Sequence, residues 1–112
     1  MDTLLLNTNN DPHVLAEQGF SGSWSLNASR AIGCDYLVIC AMGQGTGVLV
    51  GKIKGVMRTD DLARFNVHFS HFAHIDVPNA WNRKSQNPVG YTPEKELQID
   101  FQTLDFKPVQ GA

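Results

Sequence analysis

"DYLVICAM" (residues 35–42) and "VLVGKIKGVM" (residues 48–57) stand on either side of "GQGTG" (residues 43–47). Both flanks are rich in β-branched, aromatic and other apolar residues, a composition typical of strands. The glycines between them permit the positive φ angles that tight turns require. A phosphate-binding loop fits less well, because such a loop leads from a strand into a helix. The stretch therefore predicts a β-hairpin.

The segment that follows the hairpin alternates with a period of two. From residue 65 to residue 77 the apolar positions are mainly the odd ones, which predicts extended structure. Thirteen residues exceed the length of most strands. Two arrangements stay open here, one long bent strand or two strands that meet near Ser70.

Three histidines in this segment raise the question of a metal site. His68, His71 and His74 are three residues apart. On a strand, His68 and His74 would share a face about 20 Å apart and His71 would point the other way. We therefore expect no metal site, and we expect His71 to lie inward between Phe69 and Ala73.

The N-terminal third predicts one strand and two short helical elements. Residues 3–8 form an apolar run, after which Asp11 can cap a helix that Gly19 ends. In residues 21–33, either Ser25 or Asn27 could cap a further helical turn.

The C-terminal third predicts a long surface loop, a short helix and a last strand. The loop covers residues 77–93, where prolines and turn residues accumulate. Thr92 can cap the helix and Pro93 suits its first turn. Residues 99–106 are predicted to form the strand.

Composition indicates one globular domain spanning residues 1–112. Of the 112 residues, 42% are hydrophobic and 18% charged, and no run has the apolar length of a membrane span. The start of the chain lacks a basic n-region and a long apolar run, so we expect no signal peptide and a cytoplasmic location. The formal charge of −2 offers no overall basic field for nucleic acid.

The sequence contains no motif for covalent catalysis or for a cofactor. Cys34 and Cys40 are too far apart on an extended chain to form a disulfide, so we expect two reduced, packed thiols. No serine lies in a nucleophile motif, and no cysteine pair has the spacing of a zinc site. We expect no catalytic residues, cofactor or metal.

Aromatic and basic residues in the loop regions point instead to binding. Trp24 and Trp81 lie among polar residues, and Arg83 and Lys84 follow Trp81 closely. Such a mixture suits stacking on a base with charge placed on a phosphate. An equal alternative is that Trp81 and Tyr91 pin the long loop to the core.

The succession of segments resembles the EVE domain of the PUA-like group. The segments that carry the resemblance are "LLLNTNNDP" (4–12), "GSWSLNASRAIGCDYLVICAM" (22–42), "VLVGKIKGVMRTDD" (48–61), "HIDVPNAW" (74–81), "NPVGYTPEKELQID" (87–100) and "LDFKPV" (104–109). Their order covers nearly the whole chain.

The resemblance implies an α+β, β-rich pseudo-barrel of mixed sheet with two or three short helices. It also implies that the chain reads nucleic acid and holds one modified base in a pocket beside the barrel. The positions that match the family's pocket run from Asn7 to Asp11 and include Trp24, Asn27 and Arg30.

We therefore expect a noncatalytic module that binds a modified base, a nucleotide or nucleic acid, with Trp24 at the floor of its pocket. Trp81, Arg83 and Lys84 would assist. Two alternatives remain, a small hydrolase or transferase with a cleft near His68, His71 or Cys40, and a protein-interaction or oligomerisation domain with exposed aromatic residues. The sequence indicates no membrane contact and leaves the oligomeric state open.

Overall fold

All strands of the described chain belong to one mixed sheet. The computed structural model describes residues 1–61, 63–81 and 86–110. In chain order the elements are β1 (Asp2–Thr8), α1 (Pro12–Gln18), β2 (Phe20–Trp24), α2 (Ala28–Ile32), β3 (Tyr36–Ala41), β4 (Gly47–Arg58), β5 (Phe65–Val77), β6 (Val89–Pro93), a 3₁₀ turn (Glu94–Glu96) and β7 (Lys107–Pro108).

The sheet curls into a half-barrel. Its strand order is β2-β5-β4-β3-β1-β6, and β7 pairs with β5 beside this path. β1 and β3 run parallel, with Leu4 opposite Leu37, whereas the other pairs are antiparallel. The parallel pair requires a crossover, which α1, β2 and α2 supply. The predicted β-rich α+β class and the central hairpin of β3 and β4 are thus confirmed.

Apolar side chains pack on both faces of the sheet. The helix-side core contains Leu4, Leu6, Leu15, Ala16, Trp24, Ala31, Cys34, Leu37, Ile39, Leu49, Val67, Phe69, Val89 and Val109. The loop-side core contains Leu5, Val38, Cys40, Val50, Ala80, Leu97 and Phe101. Neighbours along β1 and β3 alternate between the two cores. Because these strands are buried on both faces, their sequences are continuously apolar.

The caps of both helices lie where the sequence predicts them. The Asp11 side chain accepts a hydrogen bond from the His13 N–H at 2.8 Å. Gly19 ends α1 with a φ of 77°. For α2, the cap is Asn27 rather than Ser25. Its Oδ1 accepts a hydrogen bond from the Arg30 N–H at 3.0 Å.

The long alternating segment is one strand with irregular pairing. Lys52 and Ile53 lie opposite His71 and Phe69 respectively, so Ser70 is an extra residue on β5. This β-bulge reverses the alternation of faces. Phe69 and Phe72 both pack on the helix-side core, whereas Ile75 and Val77 pack on the loop-side core.

Two predicted elements at the C-terminal end are wrong. Thr92 caps no helix, because it is buried in β6 opposite Thr3, and the turn that follows is 3₁₀ without a side-chain cap. Residues 99–106 contain no strand, and Phe101 stacks on Tyr36 with 4.4 Å between ring centroids. The described residues also include three strands that were not predicted from the sequence, β2, β6 and β7.

Across the described ranges, no helix combines the length and the apolar character needed to cross a membrane.

Candidate functional site

Trp24, the expected floor of a pocket, is a core residue. Only 8% of its surface is exposed. Its indole N–H donates a hydrogen bond to the Ser21 hydroxyl at 3.0 Å. Because β2 pairs with β5, the ring packs into the helix-side core. None of the three cavities described below is lined by Trp24.

Asn27 and Arg30 are held by contacts within the protein. Asn27 caps α2, as described above. The Arg30 guanidinium lies 3.3 Å from a carboxylate oxygen of Asp2 and 3.9 Å from the centroid of the Tyr91 ring. The pair of charges is largely exposed, so its contribution to stability is small.

Asn7 and Asp11 lie near the junction of β1 and α1. The Asn7 backbone N–H donates to the Pro88 carbonyl at 2.8 Å. Its side-chain oxygen is buried and has no hydrogen-bond partner among the described residues. Asp11 caps α1. Its carboxylate is also close enough to His74 to oppose part of the lowering of the His74 pKa.

Trp81 lies on the other face of the sheet from Trp24. It packs against the loop-side core, and its backbone N–H donates to the Gly45 carbonyl at 3.0 Å. Trp81 thus attaches the start of the long loop to the central hairpin. Arg83 and Lys84 lie outside the described residues. The two tryptophans therefore do not form one site.

A groove at another position brings together aromatic and charged side chains. It has a volume of about 420 Å³ and is open to solvent. We call it the histidine groove, and its lining residues are His13, Phe72, Ala73, His74, Asp105 and Lys107. Two further cavities, of about 290 and 300 Å³, lie beside residues 77–80 and 96–98 and beside residues 94–95 and 99–102.

Two imidazole rings that line the histidine groove are in tilted contact. The ring centroids of His13 and His74 are 4.6 Å apart and the ring planes are inclined by 33°. Phe72 meets His74 edge to face, with 5.6 Å between centroids. The Asp11 cap orders the first turn of α1 and so places His13. The bulge at Ser70 places Phe72 and His74 on the face towards α1.

Charged groups surround the imidazole pair. Lys107 is positioned by β7, which pairs with β5 so that Lys107 lies opposite Phe72. The pKa of His74 is lowered from 6.5 by burial, then by His13 and Lys107, and is raised in part by Asp11. Asp105 contributes a carboxylate to the lining of the groove.

The other two histidines of β5 lie apart from this pair. The His68 ring is 5.1 Å from Phe20, and burial followed by Lys54 lowers its pKa. His71 is half-buried, and its Nδ1 shares a hydrogen bond of 2.9 Å with the Ser70 hydroxyl. The bulge puts His71 on the face opposite Phe69, so its predicted grouping with Phe69 is wrong. In the described chain, no three His, Cys, Asp or Glu side chains converge as metal ligands would.

Neither cysteine forms a reactive centre. Cys34 and Cys40 are buried free thiols, as predicted. Burial raises the pKa of Cys40 to about 12. It also raises the pKa of Cys34, with Asp2 adding to the effect. Both groups are thus protonated near neutral pH, whereas the nucleophile is the thiolate.

Exposed apolar side chains are distributed over separate parts of the sequence. They are Met1, Val14, Ile32, Met42 and Met57.

None of the residues that line the groove was among the predicted site residues. His13, Asp105 and Lys107 come from α1, from the segment before β7 and from β7, so their proximity depends on tertiary packing. A partial signal existed, because Phe72 and His74 are two residues apart on a predicted strand and so share a face.

Comparisons with known proteins leave the family open. No family model, no curated protein and no solved structure matches this chain.

Proposed function

We propose that this protein is a noncatalytic binding module that holds a nucleobase-bearing ligand in the histidine groove. The observation that carries the proposal is the tilted contact of His13 and His74, flanked by Phe72, in a groove that is open to solvent. Aromatic side chains bind bases through their π faces, with little dependence on base identity. A modified base, a free nucleotide or a base within single-stranded nucleic acid is thus the class of ligand.

The size and lining of the groove support this class. Its volume of about 420 Å³ lies within the range of small-molecule sites, roughly 300–1,000 Å³. The apolar surface of Phe72 and the backbone at Ala73 would contact the base. Charged groups at the rim would fix its orientation.

We further propose that the curled sheet is a PUA-like pseudo-barrel of the EVE type, acting in the cytoplasm. The order of motifs along the sequence and the mixed half-barrel both support this assignment. In this proposal the base site lies between α1 and β5. Trp24 and Asn27 support the fold beneath it.

The decisive experiment is a calorimetric titration with nucleosides, modified nucleosides and short single-stranded RNA and DNA. We expect at least one of these ligands to bind. His74→Ala should weaken binding about tenfold, equivalent to ~1.4 kcal/mol, because it removes half of the stacking surface.

His68→Ala is the matched control, since it removes the same side chain from the same strand outside the groove. It should leave affinity within about twofold, a change of less than ~0.5 kcal/mol. An absence of binding across the panel would contradict the proposal, and so would equal losses in the two variants.

A further inference from the structure

The charged side chains around the histidine groove indicate which kind of ligand it binds. Three side chains in its lining can carry positive charge, His13, His74 and Lys107. One carboxylate in the lining, Asp105, opposes them. Once His74 is protonated, His74 and Lys107 place two positive charges in the lining against the one carboxylate.

Without ligand, the groove disfavours positive charge on His74. The groups that face His74 are Asp11 and His13 from α1, Lys107 from β7 and Asp105 from the segment before β7. Burial, His13 and Lys107 together outweigh Asp11 and lower the pKa of His74 below 6.5. A negative group bound beside His74 would oppose this effect, because it would stabilise the imidazolium form.

We propose, building on the base-binding function above, that the ligand carries an anionic phosphate group and that its binding is coupled to proton uptake by His74, which lies against His13. The base stacks on the imidazole and phenyl faces, and the phosphate lies between the histidines and Lys107. The ligand class is therefore the nucleotide rather than the nucleoside.

The coupling between ligand binding and proton binding sets the direction in which affinity changes with pH. The bound anion raises the pKa of His74, so the complex binds more protons than the free protein between the free and bound pKa values of that residue. Affinity therefore increases as pH falls through that window, by up to about tenfold per pH unit for each proton taken up. Above the window, where neither state is protonated, affinity is constant.

The test compares a nucleoside with the methyl ester of its 5′-monophosphate. The ester carries one negative charge throughout, whereas a phosphate monoester itself titrates near pH 6 and would obscure the protein's protons. Calorimetry between pH 5.5 and 8, at fixed salt and in two buffers of different ionisation enthalpy, measures affinity and proton uptake together.

We expect the ester to bind more tightly than the nucleoside and to gain affinity as pH falls, with a net uptake of protons. His74→Phe should keep stacking, and thus nucleoside binding, while reducing the pH dependence. Lys107→Ala should weaken the ester about tenfold and leave the nucleoside unchanged. Lys54→Ala, which alters an exposed lysine on β4, is the control and should change neither.

Three outcomes separate the two proposals. Equal affinities for nucleoside and ester at every pH would overturn the anion inference and leave base binding intact. Tighter ester binding without proton uptake would overturn the coupling. Failure of both ligands to bind would contradict the base-binding function itself.

Discussion

Thr3 shows how a single side chain can limit the stability of this fold. It is fully buried in β1, opposite Thr92 of β6. Its hydroxyl oxygen has no hydrogen-bond partner in the described part of the chain. A buried polar group without a partner retains its desolvation cost, about 1–3 kcal/mol.

We predict that Thr3→Val stabilises the protein by about 1 kcal/mol. Valine has nearly the same shape as threonine and replaces the hydroxyl with a methyl group. Urea denaturation monitored by circular dichroism measures the change. A loss of stability would show that the hydroxyl has a partner in solution.

Residue-level features were predictable from the sequence where their cause is local. The caps Asp11 and Asn27 bond to backbone groups two and three residues away, so the sequence identified Asp11 and reduced the second cap to Ser25 or Asn27. The burial of Trp24 was not, because it depends on the pairing of β2 with a strand more than forty residues later.

At the scale of elements, β5 combines a predictable strand with an unpredictable bulge. The period of two identified the strand. The extra residue at Ser70 exists because of the register with β4, which is a long-range property. Its consequence is large, since it separates His71 from Phe69 and turns Phe72 and His74 towards α1.

Residues 99–106 were predicted as a strand, but they form none. Their alternation resembles that of a strand, but no strand of the described sheet pairs with them. Phe101 and Phe106 instead stack against Tyr36, at centroid distances of 4.4 and 5.9 Å. An alternating pattern shows which residues seek burial, and pairing decides whether the backbone becomes a strand.

At the start of helix α1, two substitutions of Asp11 distinguish the effect of its N-cap on stability from the effect of its charge on His74. Asp11→Ala should destabilise the protein by about 1 kcal/mol because it removes the N-cap. Asp11→Asn should retain the cap and most of that stability. Both variants should lower the pKa of His74 further, because both remove the carboxylate that raises it.

Urea denaturation and an NMR titration of the histidine ring protons measure the two effects. Equal destabilisation in both variants would show that the charge of Asp11, rather than its cap, supports α1. An unchanged pKa of His74 would remove Asp11 from the surroundings of the groove.

At the scale of the whole molecule, two histidines make stability depend on pH. Burial is the main cause of the lowered pKa of both His68 and His74, and neighbouring cations add to it. Since each folded pKa lies below the unfolded value of 6.5, the unfolded chain binds more protons in that window. The contribution of these histidines to the free energy of unfolding is therefore fully present above pH 6.5. It is lost as pH falls through their pKa values in the folded protein.

We predict a lower midpoint of urea denaturation at pH 5.5 than at pH 7.5. The double variant His68→Asn, His74→Asn should reduce the difference, because neither position then titrates. His71→Asn is a control on the same strand. An undiminished pH dependence in the double variant would assign the effect to other groups.

The most direct test of the histidine groove is an NMR titration that observes all four histidine rings at once. Protein labelled at its histidine rings is titrated with the methyl ester of a nucleoside 5′-monophosphate at pH 6. The structure predicts large shifts for His13 and His74 and small ones for His68 and His71. Ligand binding that leaves His13 and His74 unmoved, or that shifts the indole signals of Trp24 or Trp81 instead, would contradict the assignment of the groove as the binding site.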